Sequence, residues 1–167
     1  MEKLWSPWRS KYIDSFKSDE DKTSCIFCKM QSLDINNNEN LLVNAGEYTF
    51  TLLNLYPYNN GHLMIVPKRH TNDFAALNSL ELSEIFEKLQ LAEKALRKVL
   101  NPQGFNLGAN IGRVAGAGIE DHIHFHIVPR WNGDSNFMPV IGEVKVISQD
   151  LAETKSKLLV AYSSLNK

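Results

Sequence analysis

The chain has 167 residues, 43% of them hydrophobic and 22% charged, with 18 Lys and Arg against 19 Asp and Glu. That length suits one domain with a sizeable core, and the near-neutral balance excludes the long-range attraction that draws proteins to nucleic acid or to acidic membrane surfaces. No apolar run approaches the roughly 18 residues of a membrane span, and the start "MEKLWSPWRSKYIDSF" has no apolar secretory core.

Taken in order, residues 1–24 read as an aromatic, then polar arm. "CIFC" follows, and its two cysteines, Cys25 and Cys28, are too close together to staple a fold, so a reducing cytoplasm is the expected location. "NNNEN" (36–40) is turn chemistry. "NLLVNAGEYTFTLLNL" (40–55) predicts a hairpin around Gly46. "YPYNNG" (56–61) predicts a turn, and "HLMIVP" (62–67) a buried strand. Residues 78–100 predict a long helix, with Leu82, Ile85, Phe86, Leu89, Ala92, Leu96, Val99 and Leu100 on its apolar face. Asn78 and Glu81 form a capping-box start, and Asn101-Pro102 ends it. Residues 104–111 predict a strand, 112–118 ("GRVAGAG") a glycine-rich loop, and 122–129 ("HIHFHIVP") a strand. A short strand at Val144–Ile147 and a second helix over 149–165 complete the list. Strands, one long helix, strands and a last helix predict an α+β fold with a mainly antiparallel sheet. The whole chain, 1–167, is read as a single domain, with residues 132–167 as a C-terminal extension.

Three of the five histidines stand at alternate positions, His122, His124 and His126. In a strand they share one face, while Ile123, Phe125 and Ile127 share the other. A polar outer face is made more simply with Thr, Lys or Glu. Two chemical readings remain. The histidines bind one metal, as in a hydrolase, or an unprotonated imidazole attacks phosphorus while its neighbours orient it. Mutual repulsion of three close imidazoles favours neutral forms. The preceding glycines, 112, 116 and 118, let backbone N–H groups converge on an anion, which favours phosphate chemistry. The spacing Cys25-x-x-Cys28 fits a thiol redox pair or half of a zinc site, with His70 and His122 as candidates for the other half.

"NIGRVAGAGIEDHIHFHIVPRW" and "NLYPYNNGHLMIVPKRH" resemble the two signature segments of the histidine triad superfamily. With "LWSPWRSKYI", "CIFC" and "WNGDSNF", the resemblance spans residues 4–137 and is greatest to the branch of bacterial diadenosine tetraphosphate phosphorylases. It implies a five-stranded sheet with one long helix packed on it and a homodimer. It implies His124 as a nucleophile that forms a covalent nucleotidyl-histidine, His126 at the phosphate or leaving group, and His62 beside them. It implies Asn54 at the ribose and Ile26, Phe27, Leu55 and Met64 around the base. Asn110, Ala117, Gly118 and Trp131 match phosphate and nucleotide positions. Gly118 stands where that branch often carries a hydroxyl residue, which leaves the acceptor open between inorganic phosphate and water. The resemblance implies a structural zinc on Cys25, Cys28, His70 and His122, with no organic cofactor. The implied substrate is an adenine dinucleoside polyphosphate. Alternatives are hydrolysis of nucleoside phosphoramidates or other nucleotide conjugates, a zinc hydrolase, or nucleotide binding without catalysis.

Overall fold

The computed structural model describes residues 25–134 and 149–165. The N-terminal arm and the strand expected at Val144–Ile147 lie outside the described residues. Within them run α1 (Ile26–Met30), β1 (Leu42–Ala45), β2 (Thr49–Leu53), β3 (Leu63–Pro67), α2 (Ser79–Leu100), β4 (Gly104–Ala109), β5 (Phe125–Arg130) and α3 (Leu151–Leu165). The strands form one antiparallel sheet in the order β1-β2-β3-β5-β4. This is the α+β architecture expected from the order of elements.

The period-2 alternation of the strands separates two apolar layers. Leu53 of β2, Leu63 and Ile65 of β3, and Ile127 of β5 face one side. There they pack under Ile85, Leu89, Ala92, Ala95 and Leu96 of α2 and Leu158, Ala161 and Tyr162 of α3. Phe50, Leu52, Met64 and Val66 face the other side, where α1 covers them with Phe27 and Met30. The site face therefore consists of the even-numbered residues of β2, β3 and β5.

Helix α2 begins as its sequence predicts. The Asn78 side chain accepts the N–H groups of Leu80 and Glu81, and the Glu81 carboxylate accepts the N–H of Asn78. Such a cap stabilises by about 1 kcal/mol. Glu81 is buried and also receives a two-pronged contact from Arg69 (2.8 and 2.7 Å). The helix ends at Asn101, in the left-handed region at φ 46°. One expectation fails: Phe86 is 63% exposed. The buried line runs through Ile85, Leu89, Ala92 and Leu96, and Phe86 sits about 100° round from it.

The second helix, expected over 149–165, is α3. Its packing includes a buried cation. The Lys155 ammonium donates to Asn37 O (2.7 Å), Asn40 O (3.0 Å) and Asn40 Oδ1 (3.0 Å). The asparagine turn is thereby fastened to the helix layer. Gly61 closes the turn between β2 and β3 at φ 72°, where any Cβ would collide with Leu96 and Leu100 of α2.

Candidate functional site

The expected strand over 122–129 begins only at Phe125. Residues 122–124 are not in the β3–β5 ladder. The N–H of Ile123 instead donates to Thr71 O (2.7 Å), on the connection between β3 and α2. The alternation persists, with Ile123 and Ile127 in the helix-side core and His122, His124 and His126 on the site face, all buried.

Backbone carbonyls and neighbours define the histidine tautomers. His124 Nδ1 lies 2.9 Å from His122 O. A carbonyl only accepts, so Nδ1 carries the hydrogen and neutral His124 keeps its lone pair on Nε2. His62 Nδ1 accepts the N–H of Tyr58 (3.0 Å), so Nε2 of His62 carries its hydrogen. That Nε2–H donates to His126 Nδ1 (2.9 Å). Neutral His126 must then bear its own hydrogen on Nε2, which has no partner among the described residues and is buried. The imidazoles of His124 and His126 lie 4.9 Å apart, nearly perpendicular. One ring carries a lone pair on Nε2 and its neighbour a hydrogen on Nε2.

Burial pushes all three below the ordinary histidine range. For His126 burial acts first and His124 second, and the value falls to about 4. For His124 burial outweighs the bond to His122 O. For His122 burial outweighs the bond to Pro67 O, with His70 and His124 adding to the fall. Desolvation, more than the mutual repulsion expected from spacing, keeps the row neutral.

The remaining site residues fall unevenly around this row. Phe27 packs its ring 5.1 Å from His124 and 5.5 Å from His122. Met64 lies directly across the sheet from His126. Ile26 packs beside Phe27, and Leu55 is buried. The Asn54 amide nitrogen lies 3.3 Å from His62 Nδ1, while its oxygen accepts the N–H of Tyr56. Asn110 reaches Gly116 O at 3.5 Å. The glycine loop carries fewer donors than its composition suggests. The N–H of Gly116 bonds Arg113 O, and that of Ala117 bonds Gly112 O. Gly118 N–H has no partner among the described residues. Trp131 lies past the far end of β5, about 16 Å along the chain from His126.

Tyr58 is absent from the expected site. It lies in a turn, where no periodic signal marks it, yet its ring centroid is 4.7 Å from that of His62 and 5.7 Å from that of His126.

Cys25, Cys28, His70 and His122 form a second cluster, with their ligand atoms all within 4.8 Å of one another. His122 Nε2–H donates to Pro67 O (2.8 Å), so its Nδ1 lone pair faces the cluster. From that Nδ1 the distances are 3.3 Å to Cys25 Sγ, 3.7 Å to Cys28 Sγ and 3.3 Å to His70 Nδ1. Cys28 Sγ is 3.4 Å from His70 Nδ1. Four ligands on a tetrahedral zinc would stand about 3.3 Å apart for two nitrogens and about 3.6 Å for nitrogen and sulfur. The donor set and its spacing fit such an ion. The cluster joins α1, the β3–α2 connection and the histidine segment.

Comparisons with known proteins agree with this geometry. AP-4-A phosphorylase of Mycobacterium tuberculosis is 38% identical over 168 residues, covering 98% of this chain and 85% of that protein. The adenosine 5'-monophosphoramidase of Schizosaccharomyces pombe is 34% identical over 111 residues, covering 65% of this chain and 76% of that protein. The crystal structure of a zinc-bound histidine triad family protein from Mycobacterium smegmatis matches with a TM-score of 0.69 at 27% identity, covering 86% of this chain and 96% of that one. The HIT domain family matches residues 36–133, which include the whole histidine row, and with these relatives it shows that the chain belongs to the HIT domain family.

Proposed function

We propose that this protein is a nucleotide phosphorylase or hydrolase that cleaves dinucleoside polyphosphates such as diadenosine tetraphosphate at the α-phosphate. The observation that carries the reading is the tautomer of His124. Its Nδ1–H is held by His122 O, which leaves a neutral, buried Nε2 lone pair beside a proton-bearing His126. The AP-4-A phosphorylase relative supports the substrate class.

The reaction runs as two displacements at phosphorus. The His124 Nε2 lone pair forms an N–P bond as the bridging P–O bond breaks, its electron pair staying on the leaving oxygen. His126 Nε2–H hydrogen-bonds that oxygen and stabilises its charge, so the polyphosphate leaves as an anion and His126 stays neutral. Phosphate or water then forms an O–P bond, the N–P pair returns to His124, and the acceptor's proton is released to solvent. His62 holds His126 in the tautomer this requires. Gly118 N–H and His126 stabilise charge on the phosphoryl oxygens. Asn54 meets the ribose. Ile26, Phe27, Leu55 and Met64 line the base, while Asn110, Ala117 and Trp131 complete the nucleotide site.

The metal of the second cluster is read as zinc, held by Cys25, Cys28, His70 and His122. With all four positions filled by protein it serves structure, fixing His122 and so the carbonyl that orients His124. The molecule is read as a homodimer in the cytoplasm. Two reduced thiols suit that compartment, and no helix among the described residues is long and apolar enough to cross a membrane.

A second reading, hydrolysis of nucleoside phosphoramidates, is favoured by the internal bonds of Gly116 and Ala117 N–H, which leave few loop donors for an acceptor phosphate. Product analysis with diadenosine tetraphosphate, with and without phosphate, separates the readings. Phosphorolysis yields ADP and hydrolysis yields AMP. Cleavage of a phosphoramidate alone would replace the first reading with the second.

A further inference from the structure

The phosphate acceptor needs donors that the glycine loop does not supply. Residues 110–121 contain no Ser, Thr or Tyr, and the N–H groups of Gly116 and Ala117 are spent within the loop. Tyr58 brings a hydroxyl to this place from the turn between β2 and β3. Its oxygen accepts from Asn110 Nδ2 (3.3 Å), its ring lies over His62 and near His126, and its N–H sets the His62 tautomer. Beneath, Gly108 of β4 pairs directly with His126 of β5, so the two share a face. A Cβ at Gly108 would meet nothing within 4 Å. The floor beside His126 is therefore open, with Tyr58 and Asn110 on its rim.

Chemistry says what this opening receives. In an in-line displacement the leaving group departs opposite the nucleophile, and the next acceptor enters where it left. With His124 as nucleophile, that direction belongs to the His126 side. We propose that the Tyr58 hydroxyl, oriented by the hydrogen bond it accepts from the Asn110 amide, donates to the incoming inorganic phosphate, and that Tyr58 thereby sets the choice between phosphorolysis and hydrolysis. A hydrogen bond to a charged oxygen is worth roughly a tenfold or greater preference. Water, small and uncharged, gains far less from the same seat. The inference rests on the nucleotidyl-His124 reading above.

The test is the ADP:AMP product ratio from diadenosine tetraphosphate at several subsaturating phosphate concentrations, for wild type, Tyr58→Phe and Asn110→Ala. The ratio reports how one intermediate partitions, so it does not depend on the amount of folded enzyme or on the first displacement. Trapping of labelled His124 is followed in parallel. The proposal predicts that Tyr58→Phe lowers the ratio about tenfold at equal phosphate, with Asn110→Ala falling in the same direction. A ratio in Tyr58→Phe within twofold of wild type overturns it. Wild type that labels His124 yet makes only AMP at every phosphate concentration also overturns it, while leaving the nucleotidyl-histidine standing. Wild type that never labels His124 removes the underlying reading, and the proposal with it.

Discussion

At the scale of single residues, the three histidines differ in what their neighbours make of their nitrogens. His122 gives one nitrogen to Pro67 O and turns the other to the cysteines. His124 gives Nδ1 to the His122 carbonyl. His126 receives a hydrogen from His62 and so presents one of its own. This predicts an asymmetric effect of His126→Ala. An amine is the poorer leaving group and depends more on the hydrogen bond from His126 Nε2–H, whereas a polyphosphate departs readily as an anion. Turnover of an adenosine phosphoramidate should fall by about 10²- to 10⁴-fold, and that of diadenosine tetraphosphate by clearly less. Equal losses in parallel steady-state assays would remove His126 from the contact with the leaving group. The sharing of one face was legible in the i, i+2 spacing. The tautomers were not, because they depend on His62, Tyr58 and backbone carbonyls placed by tertiary structure. The same holds for Tyr58 itself, whose turn carries no pattern that points at a site.

At the scale of elements, turns are held by residues far away in the chain. Gly61 seats the turn before His62 against α2. Gly61→Ala meets both a positive φ and the side chains of Leu96 and Leu100. It should cost about 2–4 kcal/mol in urea unfolding, and a loss below 0.5 kcal/mol would refute the close packing. Glu84 of α2 plays a similar part for the β1–β2 turn. Its carboxylate accepts the N–H groups of Glu47, Tyr48 and Thr49 and the Thr49 hydroxyl. Burial pushes this carboxyl up, but the bonds from Thr49 and Tyr48, with Lys88, outweigh it and hold it below its ordinary value. A carboxyl lowered on folding stabilises above its unfolded value, about 4.3. That contribution is lost as pH falls through the folded value. Glu84→Gln should therefore lose about 1–2 kcal/mol at pH 7 and show a flatter decline of stability below pH 5. An unchanged acid slope would contradict the assignment. Elements with a strong period, such as α2 and β3, were legible in the sequence. α1 was not, since five residues cannot display a helical period. Nor was the late start of β5, which follows from Ile123 pairing with Thr71. A buried Lys155 could not be foreseen either, because its acceptors lie more than 100 residues earlier.

At the scale of the whole molecule, the two clusters meet at His122. Its side chain belongs to the proposed zinc and its carbonyl to the proposed nucleophile. The proposed metal would join α1 to the connection after β3 and to the segment before β5, adding to the packing of Phe27 and the bond from Ile123 N–H to Thr71 O. A strong chelator should lower the melting temperature by on the order of 10 °C. Cys28→Ser should mimic it, and activity should decline together with folded structure. Activity lost while the protein remains fully folded would instead mark a catalytic metal. His124→Ala should bind metal with wild-type stoichiometry, since its side chain is not among the ligands.

The most direct measurement is trapping of the intermediate. Diadenosine tetraphosphate labelled at the α-phosphate is mixed with enzyme, quenched under alkaline conditions that spare an N–P bond, digested and mapped by mass spectrometry. The account predicts an adenylyl group on His124 in wild type and none in His124→Ala, whose turnover falls at least about a thousandfold. Label on another residue, or turnover that survives in His124→Ala, would contradict it.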